Sequence, residues 1–287
     1  MNTDTHQSAP TQFVEANGIR FAYRRFGKSG SVPLLLNMHF TGTMDHWDPA
    51  LTVGLAQQRE VILFDNAGIA SSSGEVPQTV QGMALNAVAF VKALGLSQVD
   101  VLGFSLGGLV AQEIALAAAD LVRRLVLVGT GPRSGEGMAS LTPEAQEIFG
   151  ATYAEPDDLW LRVFFTPSAS SQAAGRAFLK RFRQRTVDRD SEAGEWVAPA
   201  QLAALAEWGA PRENPFDYLK QIRQPVLVIN GDHDVIIYTS NSLILQRHLP
   251  NAQLILYPDA NHGSQYHDPA RFVGHVNQFL SEDRVGA

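Results

Sequence analysis

The stretch Gly103-Phe104-Ser105-Leu106-Gly107-Gly108 carries the clearest chemical content in this sequence. A short apolar run, residues 99–104, leads into it, and a nearly all-apolar helical stretch, residues 106–119, leads out. A serine at a strand-to-helix turn, with glycine two residues before and two after, sits on a bend tight enough to expose its side chain. The following helix aims its N-terminal N–H groups and positive dipole end at that side chain, where an oxyanion would develop. Among 24 glycines the bare Gly-x-Ser-x-Gly spacing says little. The flanking strand and helix give it weight, and Ser105 is the candidate nucleophile.

A serine hydroxyl is a poor nucleophile at neutral pH unless a base with a pKa near 7 stands beside it. Histidine supplies that base, and a carboxylate fixes its tautomer and stabilises its cation. Of the eight histidines, His262 lies in Tyr257-Pro258-Asp259-Ala260-Asn261-His262-Gly263, after the last apolar strand and before the last helix. His6 falls in the N-terminal tail, and His248 and His275 fall in helical segments, positions that suit surface roles. His267 opens the last helix. For the carboxylate, the apolar run 226–229 enters the turn Asn230-Gly231-Asp232-His233-Asp234. Such turns favour Asp for local reasons alone, so the turn by itself leaves Asp232 and Asp234 both open.

These residues need a frame. Residues 12–17 and 19–26 read as strands joined by the turn-forming Asn17-Gly18 pair. Further short apolar runs cover 33–38, 60–64, 99–104, 125–128, 225–229 and 254–257. Between them, Val80, Met83, Ala84, Ala87, Val91 and Leu94 fall at helical spacing, with Gly95 placed to end the helix. Asp268-Pro269 opens a last helix that carries Phe272, Val276 and Phe279 on one face. Apolar strands alternating with helices give an α/β fold, a mostly parallel central sheet covered by helices on both faces. The alternation breaks over 132–221, which reads as a wholly helical inserted cap. The expected division is a core of residues 1–131 and 222–287 with a cap of 132–221.

With Ser105 on such a turn and His262 after the last strand, the sequence resembles the α/β-hydrolase superfamily from about Phe13 to Leu280, least closely in the cap. In that family the nucleophile, acid and histidine follow in chain order. The family's acid stands three residues after a glycine, which selects Asp234 and makes Asp232 a turn residue. The resemblance also implies an oxyanion hole of backbone N–H groups. Leu106 supplies one; aligning His39 on the family histidine puts the other at Thr41, with Phe40 as the alternative because it replaces the family's glycine. His39 would then brace the loop. Asp65-Asn66-Ala67-Gly68-Ile69-Ala70-Ser71 is similar to a family turn in which the Asp is structural.

The formal net charge of −7 argues against nucleic acid, whose phosphates need a basic surface. There are no cysteines, so disulfides and thiolate chemistry are excluded. No apolar stretch approaches a membrane span, and the polar N-terminus does not read as a signal peptide. A cytoplasmic protein with no membrane partner, no cofactor and no metal is expected. Lys180, Arg181, Arg183, Arg185 and Arg189 read as a solvated basic face of the cap. The cap aromatics, Trp160 and Phe164 with Phe40 from the oxyanion loop, are candidate pocket walls for a small hydrophobic ester or lactone. The alternatives are carbon–carbon bond hydrolysis, cofactor-free perhydrolysis or haloperoxidation on the same three residues, and a small-molecule receptor that keeps the fold.

Overall fold

Asn17 and Gly18 both take left-handed backbone, with φ of 50° and 77°. They join strands β1 (Gln12–Ala16) and β2 (Ile19–Gly27) in an antiparallel hairpin. In this computed structural model, which describes residues 4–281, the hairpin forms one edge of an eight-stranded sheet. The other strands are β3 (Leu34–Asn37), β4 (Glu60–Phe64), β5 (Val99–Phe104), β6 (Val122–Val128), β7 (Val226–Gly231) and β8 (Ala252–Tyr257). Their spatial order is β1-β2-β4-β3-β5-β6-β7-β8. β2 runs antiparallel to β4, and every pairing from β4 to β8 is parallel. On β3 the side chains alternate between two apolar cores: Leu35 enters one, Leu34 and Leu36 the other. That two-residue period is what a strand buried on both faces requires.

Helices α1 (Pro49–Ala56), α2 (Val80–Ala93) and α3 (Leu106–Ala117) connect β3 to β4, β4 to β5 and β5 to β6. Gly95 ends α2 with φ of 73°, donating its N–H to the Lys92 carbonyl. Between β6 and β7 lie α4 (Pro143–Gly150), α5 (Asp158–Phe164), α6 (Ala169–Phe182) and α7 (Val197–Gly209), with one isolated strand bridge, Phe165 to Ala260. The chain then continues through α8 (Thr239–His248), α9 (Ser264–His267) and α10 (Pro269–Ser281). Asp268 caps α10, its Oδ1 accepting the Arg271 N–H at 3.1 Å. Among the described residues no helix is long and apolar enough to cross a membrane.

Three expectations are overturned. β6 begins at Val122, not at residue 125, because Arg123 and Arg124 are accommodated inside the strand. Arg123 pairs with Asp100 on β5 at 2.9 and 2.5 Å, and Arg124 donates to the Phe279 carbonyl at 2.7 Å. The basic residues from Lys180 to Arg189 are not uniformly solvated. Arg181 grips Asp48 at 2.7 Å, and Arg185 is buried, donating to the carbonyls of His6 and Ala9. His6 is not a surface residue either: it is 1% exposed, with Nδ1 3.1 Å from Thr52 Oγ1.

Candidate active site

Ser105 stands between β5 and α3 with φ of 56° and ψ of −121°, a region that a non-glycine residue enters only when its surroundings force it. A side chain on Gly103 would stand 2.1 Å from the Gly107 carbonyl oxygen, and one on Gly107 would stand 2.1 Å from the Asn37 carbonyl oxygen. Both glycines are therefore required by close approach of backbone, not by their own dihedrals. The turn is pinned on both sides: the Ser105 N–H donates to Val128, and its carbonyl accepts from Gly108 N–H and Thr130 Oγ1.

Asp234 follows β7 and is buried. Its Oδ1 accepts the N–H groups of Ile236 and Ile237 at 2.9 and 3.0 Å, and its Oδ2 lies 2.9 Å from His262 Nδ1. A carboxylate only accepts, so Nδ1 carries a proton, and in the neutral imidazole the lone pair is then on Nε2. Asp232 points elsewhere, to the exposed His233 at 2.5 Å. The buried His262 ring lies 5.1 Å from the ring of Phe104, the residue that enters the Ser105 turn, and is stacked with Phe164 at 6.3 Å.

The loop that carries His262 is held by the helical stretch between β6 and β7. Asp259, at φ of 55°, accepts from Thr166 and Ser168 at 2.6 Å and from Ser170 at 2.7 Å. The hydroxyls of Ser168, Thr166 and Ser170 hold its carboxyl down at about 2. Asn261 bonds the Val235 N–H and the Arg162 carbonyl, and the Gly263 N–H donates to Phe164. None of these partners was identified in the sequence, because hydroxyls 90 residues away in a loop carry no periodicity to read.

On the other side of Ser105, His39 Nδ1 donates to the Phe40 carbonyl at 2.8 Å. Burial pulls His39 down to about 4 and His46 down to about 3, so both rings are neutral. Thr41 has φ of 55°, and its N–H donates to Gln201 Oε1 on α7 at 2.6 Å. Phe40 is half-buried. Trp160 stacks on Phe164 at 5.2 Å and lies 5.7 Å from His39. Trp208, by contrast, is a buried core residue against Tyr218, and Trp196 is 65% exposed. A small cleft opens beside the first turn of α3, lined by Met38, His39, Ile69, Leu106, Val110 and Gln201 among others. Gln201 has no counterpart in the sequence reading: an isolated glutamine in a helical pattern carries no signal.

Comparison with known proteins places the fold in a family. The solved structure of an alpha/beta hydrolase fold protein from Chitinophaga pinensis is 40% identical and superposes with a TM-score of 0.91, over 98% of this chain and all of that one. A candidate non-heme bromoperoxidase of Mycobacterium tuberculosis, BpoC, is 27% identical over 225 residues, covering 75% of this chain and 81% of its own. A candidate carbamate hydrolase of Rhizobium rhizogenes, RutD, is 26% identical over 258 residues, covering 86% and 92%. The sequence pattern of the alpha/beta hydrolase fold matches residues 32–269. This chain belongs to the alpha/beta hydrolase family.

Proposed function

We propose that this protein is a serine hydrolase that cleaves a carboxylic ester or lactone through an acyl-enzyme on Ser105. The observation that carries the proposal is the Asp234–His262 hydrogen bond at 2.9 Å, with the His262 ring packed against the turn that presents Ser105. Asp234 holds the proton on Nδ1 and leaves Nε2 as the base. Ser105 Oγ attacks the acyl carbon while His262 takes the hydroxyl proton. The same proton passes to the departing alkoxide as the carbon–oxygen bond breaks. Water then attacks the acyl-enzyme, giving its proton to His262, and the acid leaves as Ser105 recovers its hydrogen. The N–H of Leu106 and that of Thr41, with Phe40 as the alternative, bind the oxyanion.

Trp160 and Phe164 stack on each other beside His262 and His39. They form an apolar wall that suits the uncharged, hydrophobic portion of such a substrate. In this reading residues 132–221 act as a cap over the core.

A fluorophosphonate probe tests the proposal. It should label the wild type at Ser105, leave a folded Ser105→Ala variant unlabelled, and abolish turnover of activated esters in step with labelling. Labelling at another residue, or undiminished turnover by Ser105→Ala, would falsify the assignment.

A further inference from the structure

The buried face of α7 runs through Val197, Gln201, Ala204 and Trp208, spaced to fall on one side of the helix. Three of the four are apolar or aromatic, as a buried stripe requires. Gln201 is the exception, at 3% exposure. A buried carboxamide is costly unless its polar atoms are paired. Here Oε1 takes the Thr41 N–H at 2.6 Å. The chemical identity of that atom is fixed, since only the carbonyl oxygen can accept from an N–H. Thr41 is a β-branched residue held at φ of 55°, a costly conformation maintained by the tight turn around it. A side chain on Gly42 would stand 2.4 Å from Met38 Cγ and 3.0 Å from the His39 ring, so the turn is closely packed at its next residue. Gln201 also lines the cleft beside Leu106 and Gly107. An oxygen from the helical insertion thus sits on the N–H that the proposed mechanism gives to the substrate oxygen.

We propose that Gln201 is a specificity-determining residue that selects acyl groups carrying a hydrogen-bond donor. This rests on the active-site reading above, with Thr41 as oxyanion donor. When the substrate oxygen takes the Thr41 N–H, Gln201 Oε1 loses its partner inside a buried site. An acyl chain bearing a hydroxyl or N–H replaces the lost donor. A plain alkyl chain leaves the carbonyl oxygen unpaired and is penalised by the cost of an orphaned polar group. The apolar wall at Trp160 and Phe164 then receives the rest of the molecule.

The test compares p-nitrophenyl butanoate with p-nitrophenyl 3-hydroxypropanoate, which differ by a hydroxyl in place of the terminal methyl. Comparing the ratio of kcat/KM values between protein variants cancels the intrinsic reactivity of the two esters. Wild type should favour the hydroxy ester, and Gln201→Leu should lower that ratio by about tenfold or more. Gln201→Met serves as the second variant if leucine disturbs folding, and should shift the ratio in the same direction. A purely structural glutamine would change both esters alike, leaving the ratio fixed. An unchanged ratio in folded variants that still label at Ser105 overturns the role of Gln201 alone. Absence of Ser105 labelling in the wild type overturns the active-site reading itself.

Discussion

Asp232 and Asp234 stand two residues apart in one turn, with different surroundings. Asp234 is buried, with both carboxylate oxygens engaged; Asp232 is exposed and its carboxylate meets the neighbouring His233. Asp234→Asn keeps the shape but reverses the donor and acceptor pattern toward His262. It should lower kcat for an activated ester by on the order of 10⁴-fold. Asp232→Asn should leave kcat near wild type and shift stability by no more than roughly 0.5 kcal/mol. Steady-state kinetics with thermal melts of both variants decide it; a dead Asp232→Asn enzyme would move the proposed acid. The local sequence left these two carboxylates equivalent, because a turn favours Asp whatever lies across from it. Family spacing pointed to Asp234, and the structure brings that residue to His262. The Gln201–Thr41 and Asp259–hydroxyl contacts were illegible for a different reason. Each joins segments about 90 to 160 residues apart through single polar atoms, which leave no trace in a hydrophobic pattern.

Elements were easier to read than contacts. Strands β3, β4, β5 and β7 announce themselves as short apolar runs because both faces are buried. β6 was read three residues short because its first turn of chain carries two arginines. Their placement depends on Asp100 and on the C-terminal end of α10, neither of which is adjacent in sequence. The strand-to-helix turn at Ser105 shows the opposite case, where steric demand writes itself into residue type. Gly107 lies so close to the Asn37 carbonyl that even a methyl group must push β3 and α3 apart. Gly107→Ala should cost about 1–3 kcal/mol of stability, as overpacking a tight core does. It should also reduce labelling of Ser105, since the same displacement moves the turn. A Gly107→Ala protein with wild-type unfolding free energy in urea would show that the backbone yields more readily than this spacing allows.

Across the whole molecule, the N-terminal tail, the core and the helical insertion meet in one buried ionic group. Arg24 pairs with Asp45 at 2.6 Å and Asp190 at 2.9 Å, and Arg185 binds the tail carbonyls of His6 and Ala9. Burial holds His6 down to about 4 and raises Asp190 to about 6. The two act in opposite directions. The unfolded chain protonates its histidine first, so the stability His6 contributes is present above about 6.5 and is lost as pH falls toward 4. The contribution of Asp190 is greatest at low pH and is lost as pH rises through about 6. The unfolding free energy of wild type relative to His6→Gln should therefore fall between pH 6.5 and 4, by at most about 1.4 kcal/mol per pH unit. Denaturant melts of both proteins at matched pH values measure this; parallel curves would mean that His6 takes up its proton as readily folded as unfolded.

The helical stretch enters after β6 and leaves before β7, two strands that are hydrogen-bonded neighbours in register, Val128 beside Ile229. The sheet therefore closes at that seam whatever lies between its two sides, so the intervening stretch can lengthen, shorten or change without altering strand order. In the proposed mechanism Ser105, Asp234 and His262 all lie outside it, while Gln201, Trp160 and Phe164 lie within it. Bond cleavage and substrate choice are thereby carried by separate lengths of chain. A lineage could vary the second and keep the first, so long as the Thr166 and Ser168 hydroxyls that hold Asp259 in the His262 loop are retained.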